Sequence, residues 1–483
     1  MSSEKVKRYF EIWWKGIKSL PETTSIHGFR FIADRKRHWI ERLFWLILVI
    51  LSWYGSSLLI EAQYRAFQNN PISFVVDTSY KDWNTQFPSV AVCELDNALR
   101  IENVSDSLWG PEHDLNMEEI LKELSFFKGV TYYISDYCGN DDPLEECFKS
   151  NLNYYANLIR HTCEETMFNC SWNGKLFDCC TYFRTMDTEF GPCFVINSIQ
   201  GSSIHMPKLE MISNRTTGPG VIMFDVKIPV KVYILNEEEV PSLTALGTDV
   251  MFIKNFRRYI TIRNIDNDAS ARLITPEKRK CRYTDENILT VYPYYSYTAC
   301  TVQCRKDAQM KHCNCSNFFM PNTPEEEKCN TSGIICLNDN IQFLSVLKAR
   351  WSKDSGLYCD CLPSCTEAEI STVKDFKETN NKKHSTVAIE LSMLPNERYR
   401  RNVVRGVLDL VDFIKLIIMF ISVSTGGTGG LFLGASILSF VELLYILLIR
   451  PFCDIYSQRN DDPWHKKYGN RRIEAKFKLQ KSK

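Results

Sequence analysis

The residues with the least ordinary chemistry sit near the C-terminal end. Thr425-Gly-Gly-Thr-Gly-Gly-Leu-Phe-Leu-Gly-Ala-Ser-Ile-Leu-Ser-Phe-Val-Glu-Leu-Leu-Tyr445 sets a run of tiny residues and one carboxylate, Glu442, into an otherwise lipid-grade apolar segment. Hydrophobic anchoring alone needs neither. Gly426, Gly430 and Gly434 recur every fourth residue, a small-xxx-small ridge that lets helices approach closely in lipid. A carboxylate among Leu, Ile, Phe and Val costs roughly 2.5–3.5 kcal/mol on insertion scales for the comparable Asp, unless it faces water or a partner. Glu442 is therefore read as facing the cytoplasmic half of an aqueous pathway and attracting cations; the alternative is a helix-end carboxylate snorkelling or paired with Arg450.

Cysteine supplies the second chemistry. Of 19 cysteines, 18 fall between Cys93 and Cys365, an even number that suits an oxidising compartment. Cys453 is left over and is expected to be reduced, inside the cell. Cys300 and Cys304 lie one helical turn apart on one face, and Cys359-x-Cys361-x3-Cys365 can mirror them on a returning segment, so a nested ladder is the natural pairing. Zinc is the competing reading, disfavoured by an extracellular setting and by the absence of a matched His/Cys tetrad. Spacing alone does not fix connectivity.

The elements that must position these groups begin with two apolar tracts. A membrane helix needs roughly 20 mostly apolar residues. Ile40 to Ile60 meets that alone, and Val411 to Phe452, interrupted by the glycines, is long enough for a broken helix or a re-entrant segment followed by a helix. The first tract is no cleavable signal peptide, since about 40 residues precede it and no small-residue cleavage site ends it. Lys and Arg crowd both short ends, from Lys5 to Arg37 and from Arg450 to Lys483, which predicts cytoplasmic termini and a two-pass plasma-membrane protein. The expected division is a cytoplasmic tail over 1–39, a first span over 40–61, an extracellular domain over 62–410, a second span over 411–450 and a cytoplasmic tail over 451–483. Five Asn-x-Ser/Thr triplets, at Asn103, Asn169, Asn214, Asn314 and Asn330, all fall in the extracellular part as candidate glycosylation sites.

Within that part the gap from Cys193 to Cys281 is the best available boundary. It reads as strands: Val221 to Leu235 alternates β-branched and aromatic residues with polar ones, Glu237-Glu-Glu-Val-Pro turns, and Arg257 to Ile265 alternates again. Apolar spacings of three to four near Met117–Phe127 and Asn340–Trp351 predict short helices. Acidic runs such as Asp141-Asp142 and Glu237-Glu-Glu read as solvated faces rather than proton sensors. With 58 basic and 58 acidic residues the formal charge is zero, which lends nothing to a nucleic-acid role. No enzyme signature is present; His161, His205 and His312 are scattered, without a Ser/His/Asp, HExxH or P-loop pattern.

Taken in order, several blocks resemble the degenerin/epithelial sodium channel family, particularly its insect pickpocket branch. They run from Ser25-Ile-His-Gly28 through Phe87-Pro-Ser-Val-Ala-Val-Cys93, then Cys179-Cys-Thr-Tyr-Phe with Thr188-Glu-Phe-Gly-Pro-Cys193. Tyr295-Ser-Tyr-Thr-Ala-Cys-x3-Cys304, Cys313-Asn-Cys-x4-Met-Pro321 and the Gly-Ala-Ser tract complete the series. The resemblance implies membrane α-helices plus an extracellular α+β domain: two transmembrane helices flanking a large, disulfide-rich, β-centred ectodomain shaped like a clenched hand. Its finger, knuckle and palm would cover about 62–280, the thumb about 281–366 and the palm return 367–410. It also implies pairing of Cys93 with Cys193, Cys281 with Cys365, Cys300 with Cys361, Cys304 with Cys359, Cys313 with Cys336 and Cys315 with Cys329. Cys138, Cys147, Cys163, Cys170, Cys179 and Cys180 stay unassigned.

The same resemblance implies a subunit of a trimeric, amiloride-sensitive, sodium-selective cation channel, assembled from like or related subunits in lipid. It implies no cofactor or bound metal beyond the permeant sodium ion, and an extracellular ligand or mechanical partner of unknown kind. Gly434, Ala435 and Ser436 match the family's selectivity motif, where three copies around an axis replace part of an ion's hydration shell with carbonyls and small side chains. His27-Gly28 matches the family's gating motif, and Val423, Ser424 and Gly427 lie where it places the gate. One departure stands out. Family members pass from a Leu-Asp-Leu-Val-like helix start almost directly into a Gly-Gly turn, but here Asp412 to Ser422 intervene, eleven residues or about three helical turns and some 16 Å of helix. That segment, with Lys415 within it, is either a lineage-specific extension or a retained non-coding stretch, and a chain whose pore it disables would serve as a non-conducting regulatory subunit or receptor.

Overall fold

The computed structural model describes residues 31–32, 37–69, 72–78, 83–139, 147–148, 150–201, 207–379 and 381–403. The chain divides into two units, residues 1–72 with 403–483 and residues 73–402. In the first, helix α1 runs Trp39–Asn69, and its Trp39–Leu59 portion is long and apolar enough to cross a membrane. Leu46, Ile47, Leu48 and Ile50 are all exposed, and at about 100° per residue the first three alone point to three different sides of the helix. A helix apolar on all sides needs either a protein core or lipid around it. Beyond the apolar stretch Glu61 and Arg65 pair at 2.6 Å, one turn apart.

The second unit is built on sheets. Its strands are β1 (Ile72–Asp77), β2 (Thr85–Gln86), β3 (Ser89–Glu94), β4 (Met167–Trp172), β5 (Lys175–Leu176), β6 (Arg184–Thr188) and β7 (Gly191–Ile196). They continue as β8 (Ile212–Ser213), β9 (Val221–Val226), β10 (Val230–Leu235), β11 (Gly247–Val250), β12 (Lys254–Arg263) and β13 (Ile265–Asn267). Last come β14 (Glu369–Thr379), β15 (Ser385–Leu391) and β16 (Arg398–Val403). One sheet is ordered β11-β10-β3-β7-β6 and a second β14-β12-β15-β9-β4-β5. β3 is central to the first and reads Ser-Val-Ala-Val-Cys-Glu, all six residues buried, as a strand covered on both faces must be. In the second sheet β12 pairs parallel with β15 while β9 pairs antiparallel with it. Val90, Val92, Val230, Val232, Ile222, Phe224, Val387 and Ile389 from both sheets share one core.

Helices α2 (Ala98–Trp109), α3 (Leu115–Ser125), α4 (Tyr133–Cys138) and α5 (Leu152–Ile159) follow β3, and α6 (Tyr297–Cys313), α7 (Thr331–Asp339) and α8 (Ile341–Ser345) precede β14. Asp114 caps α3 by accepting from Asn116 N at 3.0 Å. The helix buries Met117, Ile120, Leu121 and Leu124, a three-four spacing, against Ile101 of α2, Ala156 and Ile159 of α5, and Ile334 and Leu337 of α7.

The short helix expected near Asn340–Trp351 is α8, and it stops at Ser345: Leu357 N donates to Val346 O at 2.8 Å and Lys348 N to Leu357 O at 3.0 Å, so the chain is pulled into a pairing that a continued helix could not make. One sequence expectation is corrected. The interval between Cys193 and Cys281 is no seam in the sheets. Its β10 pairs with β3, and its β9 lies between β4 and β15.

Candidate functional site

The residues expected to line an ion pathway, Val423, Ser424, Gly427, Gly434, Ala435, Ser436 and Glu442, lie outside the described residues, as do His27 and Gly28. What the structure does describe is the apparatus around them in sequence, and it is held by nine disulfides among the described residues.

Cys93 on β3 and Cys193 on β7 stand directly opposite in register, with Cα atoms 4.5 Å apart, the close spacing at which facing residues of antiparallel strands can be bridged. Ser296 caps the start of α6, its Oγ accepting from Ala299 N at 3.1 Å. It turns Cys300 toward Cys361 and, one turn on, Cys304 toward Cys359, while Cys281 meets Cys365. Past the end of α6, Cys313 joins Cys336 and Cys315 joins Cys329. With these sulfurs in disulfides, the zinc alternative has no thiolates to use. The remaining six cysteines pair as Cys138–Cys147, Cys163–Cys180 and Cys170–Cys179. The adjacent Cys179 and Cys180 thus reach two different strands of chain, which no spacing rule foretells.

Buried charge ties the bridged helices to the sheets. Glu189, in the turn between β6 and β7, forms an ion pair with Arg305 of α6, each side chain about 1 % exposed. Leu243 N donates to the other Glu189 oxygen, Asn317 Nδ2 donates to the Glu189 carbonyl at 2.6 Å, and Arg305 Nε donates to Leu344 O at 3.1 Å. Arg160 is likewise buried, donating to Ser125 O and Phe190 O over the face of Phe126. Burial pushes its guanidinium down to about 10, still cationic at neutral pH. His161 pairs with Glu94 at 2.7 Å and His312 packs edge-on against Phe343; His205 lies outside the described residues.

At the base of the ladder Arg401 of β16 donates to Cys365 O at 3.0 Å, to Cys281 Sγ at 2.9 Å and to Asn267 Oδ1 at 2.9 Å. The strand nearest the second apolar tract in sequence is thereby fastened to the outermost bridge.

The acidic run at 237–239 is not the solvated face that composition suggests. Glu238 is buried and accepts from Ser364 Oγ at 2.8 Å and Thr366 Oγ1 at 3.0 Å. Burial first, and then the neighbouring Glu367 charge, raise the Glu239 carboxyl to about 7, against weaker opposing hydrogen bonds from Asn236. Burial and the Glu238 charge raise Glu367 as well. A run of like charges gave no hint of this, because the hydroxyls that receive it come from residues 364–366. Asp141-Asp142 lies outside the described residues.

The five Asn-x-Ser/Thr triplets differ in setting. Asn103, Asn169, Asn314 and Asn330 are exposed and Asn214 is half-buried, its Oδ1 accepting from Thr216 N and Thr217 N and its Nδ2 donating to Asn84 Oδ1.

A disulfide-rich, β-containing domain joined to a helix of membrane-spanning length and apolarity defines a class of membrane protein. Comparison with known proteins specifies it. Residues 20–446 match the family model described as amiloride-sensitive sodium channel. The sodium channel protein Nach of Drosophila ananassae is 24 % identical over 88 % of this chain and 84 % of its own length. Pickpocket protein 28 of Drosophila melanogaster is 22 % identical over 89 % and 78 %, and the human acid-sensing ion channel 2 is 24 % identical over 93 % and 90 %. The chain belongs to the amiloride-sensitive sodium channel family, whose members are membrane-embedded ion channels.

Proposed function

We propose that this chain is a subunit of a trimeric, amiloride-sensitive, sodium-selective cation channel opened by an extracellular stimulus. In this reading it crosses the plasma membrane twice, keeps both termini in the cytoplasm and exposes residues 62–410 outside. The observation that carries it is the extent of the family match, 20–446, which takes in both His27-Gly28 and Gly434-Ala435-Ser436 along with the bridged domain between them. Disulfides in the middle of the chain support an oxidising exterior there. Gly434, Ala435 and Ser436 would form the filter, Val423, Ser424 and Gly427 the gate, and Glu442 an inner ring of negative charge; sodium is the permeant ion and no cofactor takes part.

The segment Asp412–Ser422 favours a second reading, a non-conducting regulatory subunit or receptor of the same family. Expression of the full chain, alone and with related subunits, separates the two. A sodium-selective current blocked by amiloride, with selectivity altered by Ser436→Asp, supports the first. Silence under both conditions, relieved by deleting 412–422, supports the second. Silence of both the full chain and the deletion variant, with the protein at the cell surface, refutes the channel reading in either form.

A further inference from the structure

Two of the five glycosylation triplets, Asn169-Cys170-Ser171 and Asn314-Cys315-Ser316, carry a cysteine at their centre, and each of those cysteines is bridged to a near neighbour in sequence. Cys170 closes on Cys179, nine residues away, and Cys315 on Cys329, fourteen away. Both asparagines end in the left-handed region, with φ of 52° and 55°. Their surroundings are then locked. Phe177 N donates to Cys170 O at 2.9 Å, and Ser171 pairs with Leu176 and Met223. Ser316 is fully buried, donates its N–H to Glu327 O and accepts from Cys329 N, both at 2.8 Å.

A glycan-transferring enzyme must bend the triplet into its own site and reach the serine hydroxyl. In the transfer Asn Nδ2 bonds to the anomeric carbon of a lipid-pyrophosphate-linked sugar, the anomeric C–O bond breaks, the lipid pyrophosphate leaves and the amide proton passes to a base. Closing the bridge is a separate reaction, in which two thiols give two electrons and two protons to a disulfide donor. Loop-closure cost grows only with the logarithm of length, so loops this short close readily. Once closed they hold the triplet in a shape the enzyme cannot use.

Resting on the extracellular placement above, we propose that glycan occupancy at Asn169 and Asn314 is set by a race between transfer and closure of Cys170–Cys179 and Cys315–Cys329. Asn103, whose triplet contains no cysteine and lies ten residues from the nearest one, Cys93, stands outside that race, whereas Asn330 directly follows Cys329.

The test is site-by-site occupancy on the full chain made in secretory cells, read by mass spectrometry after enzymatic deglycosylation in heavy-oxygen water. Transfer precedes folding, so a variant that misfolds still reports. In wild type Asn169 and Asn314 are occupied less than Asn103. Cys179→Ser raises Asn169, Cys329→Ser raises Asn314, and a brief pulse of reductant raises both, by about twofold or more, with Asn103 unmoved. Occupancy at Asn169 and Asn314 equal to that at Asn103 and indifferent to both variants and reductant overturns the race. Absence of glycan at all five sites overturns the extracellular placement, and the race with it.

Discussion

Glu239→Gln should flatten the pH dependence of the β domain's stability between pH 5 and 8. The carboxyl moves from an ordinary 4.5 to about 7 in the folded chain, chiefly through burial and secondly through Glu367. At about 1.4 kcal/mol per pH unit, that displacement amounts to about 3 kcal/mol. Below pH 4.5 the group is protonated in folded and unfolded chains alike and contributes nothing. Between 4.5 and about 7 it is protonated only when folded, so unfolding releases a proton and stability falls as pH rises. Above that the folded chain carries the buried charge at its full cost. Glutamine keeps the shape and can still accept from Asn236, but it cannot ionise. The measurement is the thermal unfolding midpoint of the full chain in detergent, disulfides intact, at pH 5, 6, 7 and 8. Wild type should lose several degrees relative to Glu239→Gln across that range, with the two close together at pH 5. Parallel curves, or a variant weaker than wild type at pH 8, would refute the burial argument. Glu367→Gln removes the second cause and should move the wild-type fall to lower pH.

Two other perturbations test the packing. Glu189→Leu or Arg305→Met alone leaves a buried partner uncompensated and should cost about 3–5 kcal/mol, whereas the two together should cost clearly less than the sum of the singles; strict additivity in this double-mutant cycle would contradict the pairing. At Gly333 an added Cβ would lie 2.5 Å from Cys315 Sγ and 2.8 Å from Cys329 Cβ. Gly333→Ala should therefore destabilise by about 1–3 kcal/mol or leave a free thiol at Cys315 in a non-reducing peptide map; unchanged stability with the bridge intact would show that α7 can shift to make room.

Local patterns carried part of the fold into the sequence. Alternation in Val221–Leu235 marks β9 and β10, the three-four spacing of Met117, Ile120, Leu121 and Leu124 marks α3, and Cys300 and Cys304 share one helix face because four residues are nearly one turn. Other features depend on partners far along the chain. Nothing near Glu189 announces Arg305, nothing near Glu238 announces Ser364 and Thr366, and the helix pattern after Asn340 yields to a pairing with Leu357. The six cysteines between Cys138 and Cys180 had too many combinations for spacing to choose among them. Of the expected ion-pathway residues, the motif was legible as residue types; their geometry lies outside the described residues.

β15 occupies the place between β12 and β9, yet it is translated more than a hundred residues after either. A ribosome therefore releases two strands with facing edges and no filler between them, and the vacancy lasts until residues 385–391 emerge. A message cut short between Arg263 and that point yields a protein with these open β edges rather than a smaller working domain. Such edges invite pairing with other chains. Quality control in the cell making this protein must hold the first four-fifths of the chain apart from its copies, and premature stop codons between Arg263 and Ser385 should produce aggregation-prone fragments rather than dominant partial subunits.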